Sequence, residues 1–160
     1  MSEAVRYYES PMGWIRLTAN NEALTTLYFR SPEPGVASDE AHPILAKTVE
    51  QLSEWFAGTR KDFELPLAPE GTDFQQRVWH ALLEIPFGKT WSYLDLALRM
   101  GDRNATRAVG SANGKNPISL IIPCHRVIGS NGKLTGYGGG IERKKWLLDF
   151  EHEQYQPALF

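Results

Sequence analysis

The apolar pattern of this chain changes period part-way along, and that change limits the folds open to it. Residues 4–9, 13–19 and 23–29 are short runs of β-forming character, separated by the turn signals Ser10-Pro11-Met12-Gly13 and Asn20-Asn21-Glu22. They predict a small antiparallel meander. From residue 42 onward apolar residues recur mostly at helical spacing. The expected class is therefore mixed α/β, more narrowly α+β. A β-sheet-plus-helix lobe covers 1–70, and a helical lobe covers 71–160, with Ala68-Pro69-Glu70-Gly71 as the hinge. A length of 160 residues suits one domain or two small lobes.

In the first lobe, 31–39 reads as a loop, since it holds Pro32, Pro34 and Gly35. Residues 42–56 predict a helix with Ile44, Val49, Leu52, Trp55 and Phe56 as its apolar stripe, ended by Gly58. Residues 63–67 suggest one more strand. No chemical constellation stands out, so this lobe reads as scaffold.

In the second lobe, Thr72 with Gln75 three residues on forms a capping box, and Phe74, Val78, Leu82 and Leu83 give that helix its apolar face. Ile85-Pro86-Phe87-Gly88 stops it. Ser92 with Asp95 caps a next helix carrying Leu94, Ala97 and Leu98, and Gly101 breaks it. Asn104 is the expected cap of the following helix, whose inward face is Ala105, Ala108, Val109 and Ala112. Two short helices around such a turn make a helix-turn-helix candidate. The opposite face of the second helix carries Arg107, Gly110, Ser111 and Gly114: one long cation among small residues. A major-groove reader usually carries several long polar side chains. This smooth surface suits close approach to a phosphate backbone, with Arg107 inserted as minor-groove proteins insert side chains. The plainer reading is a solvated arginine.

Net charge is −2, but it is unevenly spread. Residues 1–85 hold 7 basic and 13 acidic groups, residues 86–147 hold 10 and 3, and residues 148–160 hold 3 acidic groups. The basic stretch would attract phosphate. No apolar run approaches the roughly 20 residues that span a bilayer, so no membrane role is expected. The first ten residues lack the basic start and apolar core of a signal peptide. A single cysteine excludes an internal disulfide and a cysteine-rich zinc site, and an intracellular, cytoplasmic location is expected.

That cysteine, Cys124, ends the apolar run Ile118, Leu120, Ile121 and Ile122, and sits in Pro123-Cys124-His125-Arg126-Val127. It can be a buried small hydrophobe or a nucleophile. In extended chain the Cys124 and His125 side chains point to opposite faces, which favours a relay through water over direct contact. The final helix, 141–151, places Glu151 between Leu147 and Leu148 on its apolar face. A carboxylate there needs a partner, and His125 is the natural one. A frayed last turn would leave it in water instead. Gly136-Tyr137-Gly138-Gly139-Gly140 lacks the spacing of a phosphate-cradling loop but lets backbone approach a flat ligand.

The chain resembles the O6-alkylguanine-DNA alkyltransferases, the methylated-DNA–protein-cysteine methyltransferases. The likeness covers about 72–152: FGKTWSY at 87–93, RAVGSANGKNPISLIIPCHRVIG at 107–129 and GYGGGIERKKWLLDFE at 136–151. The PCHRV core is highly specific. The resemblance implies a single-use DNA-repair protein that extrudes the damaged base and takes its alkyl group. Cys124 would accept the group, with His125 and Glu151 activating it through water. Tyr93 would help position the flipped nucleotide and hydrogen-bond the leaving guanine, and Asn116 would brace the active-site segment. Thr106, Arg107, Ala108, Gly110, Ser111 and Tyr93 would meet DNA, with Arg107 filling the gap left by the base. Val127, Tyr137, Gly138 and Gly139 would line the base pocket. Relatives often carry Ser or Ala where this chain has Gly138, which bears on bulkier adducts.

The implied partner is double-stranded DNA containing O6-alkylguanine, with O4-methylthymine as a second substrate. No cofactor or metal is implied, and a monomer is expected, with cooperative binding on DNA left open. A non-catalytic lesion-binding module of the same fold is the main alternative, and relatives of that kind lack the cysteine. A cysteine hydrolase would turn over and would not need Arg107.

Overall fold

A computed structural model describes residues 3–29, 33–38, 41–134 and 136–155. The chain divides into two compact units: residues 1–70 with 117–121, and residues 71–116 with 122–160.

In the first unit, β1 (Ala4–Ser10), β2 (Gly13–Ala19) and β3 (Leu24–Phe29) form an antiparallel sheet in that order. The β1–β2 turn closes at Ser10, whose hydroxyl donates to Gly13 O at 2.7 Å, while Gly13 takes a φ of 112° that a side chain would resist. Ile15, Leu17 and Ala19 alternate inward along β2. Helix α1 (Pro43–Phe56) packs on β1 and β2.

Its buried face differs from the expected stripe. Leu45, Thr48, Gln51, Leu52 and Trp55 are buried, and Ile44, Val49 and Phe56 only half-buried. Two polar residues can line that face because each finds a partner. Thr48 donates to Ile44 O at 2.7 Å, and the Gln51 amide spans the backbone of Glu64, giving Nε2–O 3.1 Å and N–Oε1 2.8 Å. The expected strand at 63–67 reduces to one bridge, Leu24 with Leu67. Pro66 has no N–H with which to extend a ladder. Of the expected loop at 31–39, residues 33–38 show no regular structure, while residues 31, 32 and 39 lie outside the described residues. The segment 117–121 runs beside β3, with Leu27 N donating to Pro117 O at 2.9 Å and Ser119 N to Leu27 O at 3.1 Å. Within it Leu120 takes a φ of 71°, rare for a side chain of that size.

In the second unit, α2 (Asp73–Leu82) starts with both bonds of the Thr72–Gln75 capping box. It buries Val78, Trp79, Ala81 and Leu82. Leu83 lies past its end and is exposed, and Phe74 is half-buried. A two-residue strand β4 (Trp91–Ser92) leads into α3 (Tyr93–Arg99), capped by Ser92 and Asp95 as the sequence predicts. Leu96 and Ala97 are buried on α3, whereas Leu98 is exposed. After Gly101 (φ 84°), Asp102 caps a short 3-10 turn by accepting from Asn104 N at 3.0 Å. The turn delivers the chain directly into α4 (Thr106–Gly114), so Asn104 is not its cap and Ala105 precedes it. The turn also resets the helical phase: Val109, Ala112 and Asn113 are buried, while Ala108 is exposed. Trp79 Nε1 donates to Ala112 O at 2.8 Å and pins α4 to α2. Strand β5 (Val127–Ile128) pairs parallel with β4. Helix α5 (Ile141–Tyr155) runs on past Glu151, so that residue does not sit in a frayed last turn.

Candidate active site

Pro123 ends the apolar run, and the chain then folds into a 3-10 turn over Cys124–Arg126, with Arg126 N donating to Pro123 O at 3.0 Å. This corrects the extended geometry expected for Cys124 and His125. Pro123 has φ −81° and ψ 62°, a tight-turn rather than a strand conformation, and Cys124 N donates to Ile122 O at 2.8 Å across it. The thiol is buried, 4% exposed. Burial pushes it up to about 11, against the opposing pull of a hydrogen bond from the Asn116 side chain and the charge of Lys144. Asn116 also donates to Ile122 O at 2.7 Å, so one side chain ties both the thiol and the backbone before it. Asn113 Nδ2 stands 3.5 Å from Cys124 O.

His125 is fully buried. Its Nε2 lies 2.7 Å from Glu151 Oε2, and its Nδ1 has no hydrogen-bond partner among the described residues. Burial drives the imidazole toward its neutral form, Glu151 opposes that, and the charges of Arg126 and Lys144 reinforce it. Burial alone would raise Glu151. The His125 contact and then Arg126 outweigh it and bring the carboxyl down to about 2. An ionised carboxylate only accepts, so His125 carries a proton on Nε2, and in the neutral ring that burial favours Nδ1 is the acceptor. The arrangement can take a proton at Nδ1 while Glu151 steadies the opposite nitrogen.

Two partners were not singled out from sequence. Arg126 is buried and forks onto Glu151, Nε–Oε1 2.9 Å and Nη2–Oε2 2.9 Å. Lys144 is fully buried on α5, its Nζ donating to Val127 O at 2.6 Å and lying 6.0 Å from the centre of the Tyr93 ring. Burial pushes Lys144 down to about 8, and Cys124 opposes the shift. A usable signal was present: Lys144 and Glu151 are seven positions apart, which places both on one helix face.

The other predicted residues are distributed as follows. Tyr93 opens α3 half-buried, and a Cβ on Gly110 would meet its ring at 3.5 Å, so Gly110 faces Tyr93 and is only partly open. Arg107, Ala108 and Ser111 are exposed on α4, and Thr106 is half-buried, donating to Arg103 O at 2.9 Å. Val127 and Tyr137 are buried, Gly138 is exposed and Gly139 half-buried. A Cβ at Gly138 would meet nothing within 4 Å. Among the described residues no three His, Cys, Asp or Glu side chains cluster as metal ligands, and no helix is long and apolar enough to cross a membrane.

Two family models match the chain. Residues 4–69 match the ribonuclease-like domain of 6-O-methylguanine DNA methyltransferase, and residues 73–153 match its DNA-binding domain. The chain belongs to this methyltransferase family. It is 47% identical to a methylated-DNA–protein-cysteine methyltransferase of Mycobacterium bovis, over 96% of this chain and 95% of the relative. A Methanosarcina acetivorans protein of the same name is 46% identical over 90% of this chain and 95% of its own length. The crystal structure of Mycobacterium tuberculosis O6-methylguanine methyltransferase superposes with a TM-score of 0.88 at 44% identity, covering 99% of this chain and 98% of that one. Mycobacterium tuberculosis OGT in complex with DNA gives 0.84 at 46% identity, covering 96% and 95%.

Proposed function

We propose that this chain repairs DNA by moving the alkyl group of O6-methylguanine irreversibly onto Cys124. The observation that carries the reading is the buried thiol held by Asn116, next to a histidine whose Nδ1 is free to accept while Glu151 holds its Nε2. The substrate is double-stranded DNA, with O4-methylthymine a second lesion of the same chemistry. The lesion's methyl is inaccessible in a stacked duplex, so the nucleotide is extruded, and Arg107 on exposed α4 fills the gap. Thr106, Ala108, Gly110 and Ser111 let the backbone approach closely. Val127, Tyr137, Gly138 and Gly139 receive the base. Residues 1–70 act as scaffold, and residues 71–160 bind DNA and carry the chemistry. The protein works as an intracellular monomer.

In the reaction the Cys124 proton passes through a bound water to His125 Nδ1. Sγ bonds to the methyl carbon as the carbon–O6 bond breaks, and the electron pair leaves on guanine O6. Lys144 offsets the negative charge left on sulfur when its proton departs, and Tyr93 offsets that gathering on the departing base. The thioether does not revert, so each molecule acts once. Mass spectrometry after incubation with O6-methylguanine duplex checks this: a stable gain of about 14 Da on Cys124 is expected, as for a covalent acceptor. An unmodified Cys124 sinks the reading.

A further inference from the structure

The Glu151 carboxylate has acceptor room for about four donors, and four N–H groups occupy it. Oε1 takes Gly88 N at 3.1 Å and Arg126 Nε at 2.9 Å, and Oε2 takes Arg126 Nη2 at 2.9 Å and His125 Nε2 at 2.7 Å. The guanidinium cannot swing away. Its Nη1 donates to Ile85 O at 2.7 Å, and its carbon stands 5.6 Å from the centre of the Phe87 ring. Around His125 the charged and titratable groups are Arg126 and Cys124 on its own turn and Lys144 and Glu151 on α5. Ile85, Phe87 and Gly88 add only backbone dipoles and an aromatic face. The buried cluster thus holds two cations, Arg126 and Lys144, against one anion. A protonated His125 would be a third cation served by the same carboxylate, which a buried site disfavours.

We propose that Arg126 is a positioning residue of the transfer reaction, sharing Glu151 so that His125 rests as a neutral base with Nδ1 open. The assignment rests on the transfer chemistry proposed above. Without Arg126, Glu151 would give its whole charge to His125. The imidazole would then hold a proton at higher pH and could not accept the one leaving Cys124.

The test follows the rate of the mass gain on Cys124 with O6-methylguanine duplex, across pH, for the full chain and for Arg126→Met and Arg126→Lys. A charge in direct contact moves a buried neighbour by about one pH unit or more. The acid limb of Arg126→Met should therefore shift upward by about one unit. Its rate should fall toward about tenfold below the parent's on the acid side of the parent's limb and recover to within about threefold near about pH 9. Arg126→Lys, which keeps the charge, should leave the limb near the parent's position. A uniform loss at every pH in Arg126→Met, or an equal shift in Arg126→Lys, overturns the role. A readout independent of the variants is the nitrogen NMR of His125 in the parent. A neutral ring with its proton on Nε2 at neutral pH supports the proposal, and an imidazolium overturns it. A parent that never gains the mass fails the transfer reading, whereas a parent that transfers with no limb shift in Arg126→Met fails only the role of Arg126.

Discussion

The two units bury polar groups of different kinds. Among the described residues of the sheet unit the buried polar ones are Ser10, Thr18, Thr48, Gln51 and Ser119, all neutral. Four of them make short bonds to neighbours: Ser10 to Gly13 O, Thr18 to the Thr25 and Thr26 hydroxyls, Thr48 to Ile44 O, and Gln51 to the Glu64 backbone. These bonds finish a turn, a strand pair, a helix and a helix-to-loop seam. In the helical unit the buried polar residues are Asn113, Asn116, His125, Arg126, Lys144 and Glu151. Among the described residues every buried charge lies there. A neutral hydrogen bond recovers most of what its burial costs, whereas a buried ion pair often does no better than an apolar replacement. The sheet unit is therefore organised for stability. The helical unit carries buried charges that stability alone does not explain, and they lie close to the only cysteine.

The largest expected effect comes from breaking that charge cluster. Glu151→Ala strands Arg126, and removing one partner of a buried pair costs about 3–5 kcal/mol. Denaturant unfolding of the two proteins measures it, and transfer should be lost in whatever remains folded. A cost near zero would mean that the cluster is solvated in solution. The same carboxyl predicts the acid behaviour. Its folded value of about 2 lies below the ordinary one, so its stabilisation is complete above about 4.5 and is lost as the pH falls toward about 2. His125 is also shifted down, so the protonation favoured in the unfolded chain adds to the loss below its ordinary value of 6.5. Both groups weaken the fold in acid, and Glu151→Ala should flatten the lower part of that dependence.

Gln51→Ala is the matching change in the sheet unit. It leaves Glu64 N and O without their side-chain partners, at about 1–3 kcal/mol. The cost should not vary between about pH 4 and pH 8, because no charge is involved, and the transfer rate of the folded protein should match the parent's. A pH-dependent cost, or a slower transfer, would break the contrast between the units.

The same contrast explains what could be read in the sequence. Local signals were reliable where a bond spans few residues: the three strands, and the capping boxes at Thr72–Gln75 and Ser92–Asp95. The inward Glu151 was legible because leucines flank it. Thr48 was passed over although its partner, Ile44 O, is only one helical turn back. Gln51 was passed over because a polar residue reads as surface until its distant partner is known, and Glu64 is thirteen residues away. Lys144 and Arg126 were passed over for the same reason: long cations are almost always exposed. Asn104 misled because a 3-10 turn capped by Asp102 precedes α4 and takes in Asn104 itself. The turn at Cys124 depends on closure after Pro123, which an apolar run leading into it disguises as extended chain.

Lys144→Met should have the smallest effect on stability and still separate stability from chemistry. Burial works against the ammonium, so Lys144 subtracts stability below about 8 and stops subtracting as the pH rises toward the ordinary lysine value. Methionine removes that cost and fills a similar volume, but it leaves Val127 O without the 2.6 Å bond from Nζ. The two changes oppose each other, and the net should lie within about 1 kcal/mol by denaturant unfolding. Lys144 nevertheless faces the thiol, and its charge favours the thiolate that attack requires. Removing it should slow alkylation of Cys124 by about tenfold or more, with Arg126 and Glu151 left in place. A variant as fast as the parent would make Lys144 a structural cation like any other. A variant more than about 3 kcal/mol less stable would show that the Val127 bond, rather than the charge, is why a lysine is buried there.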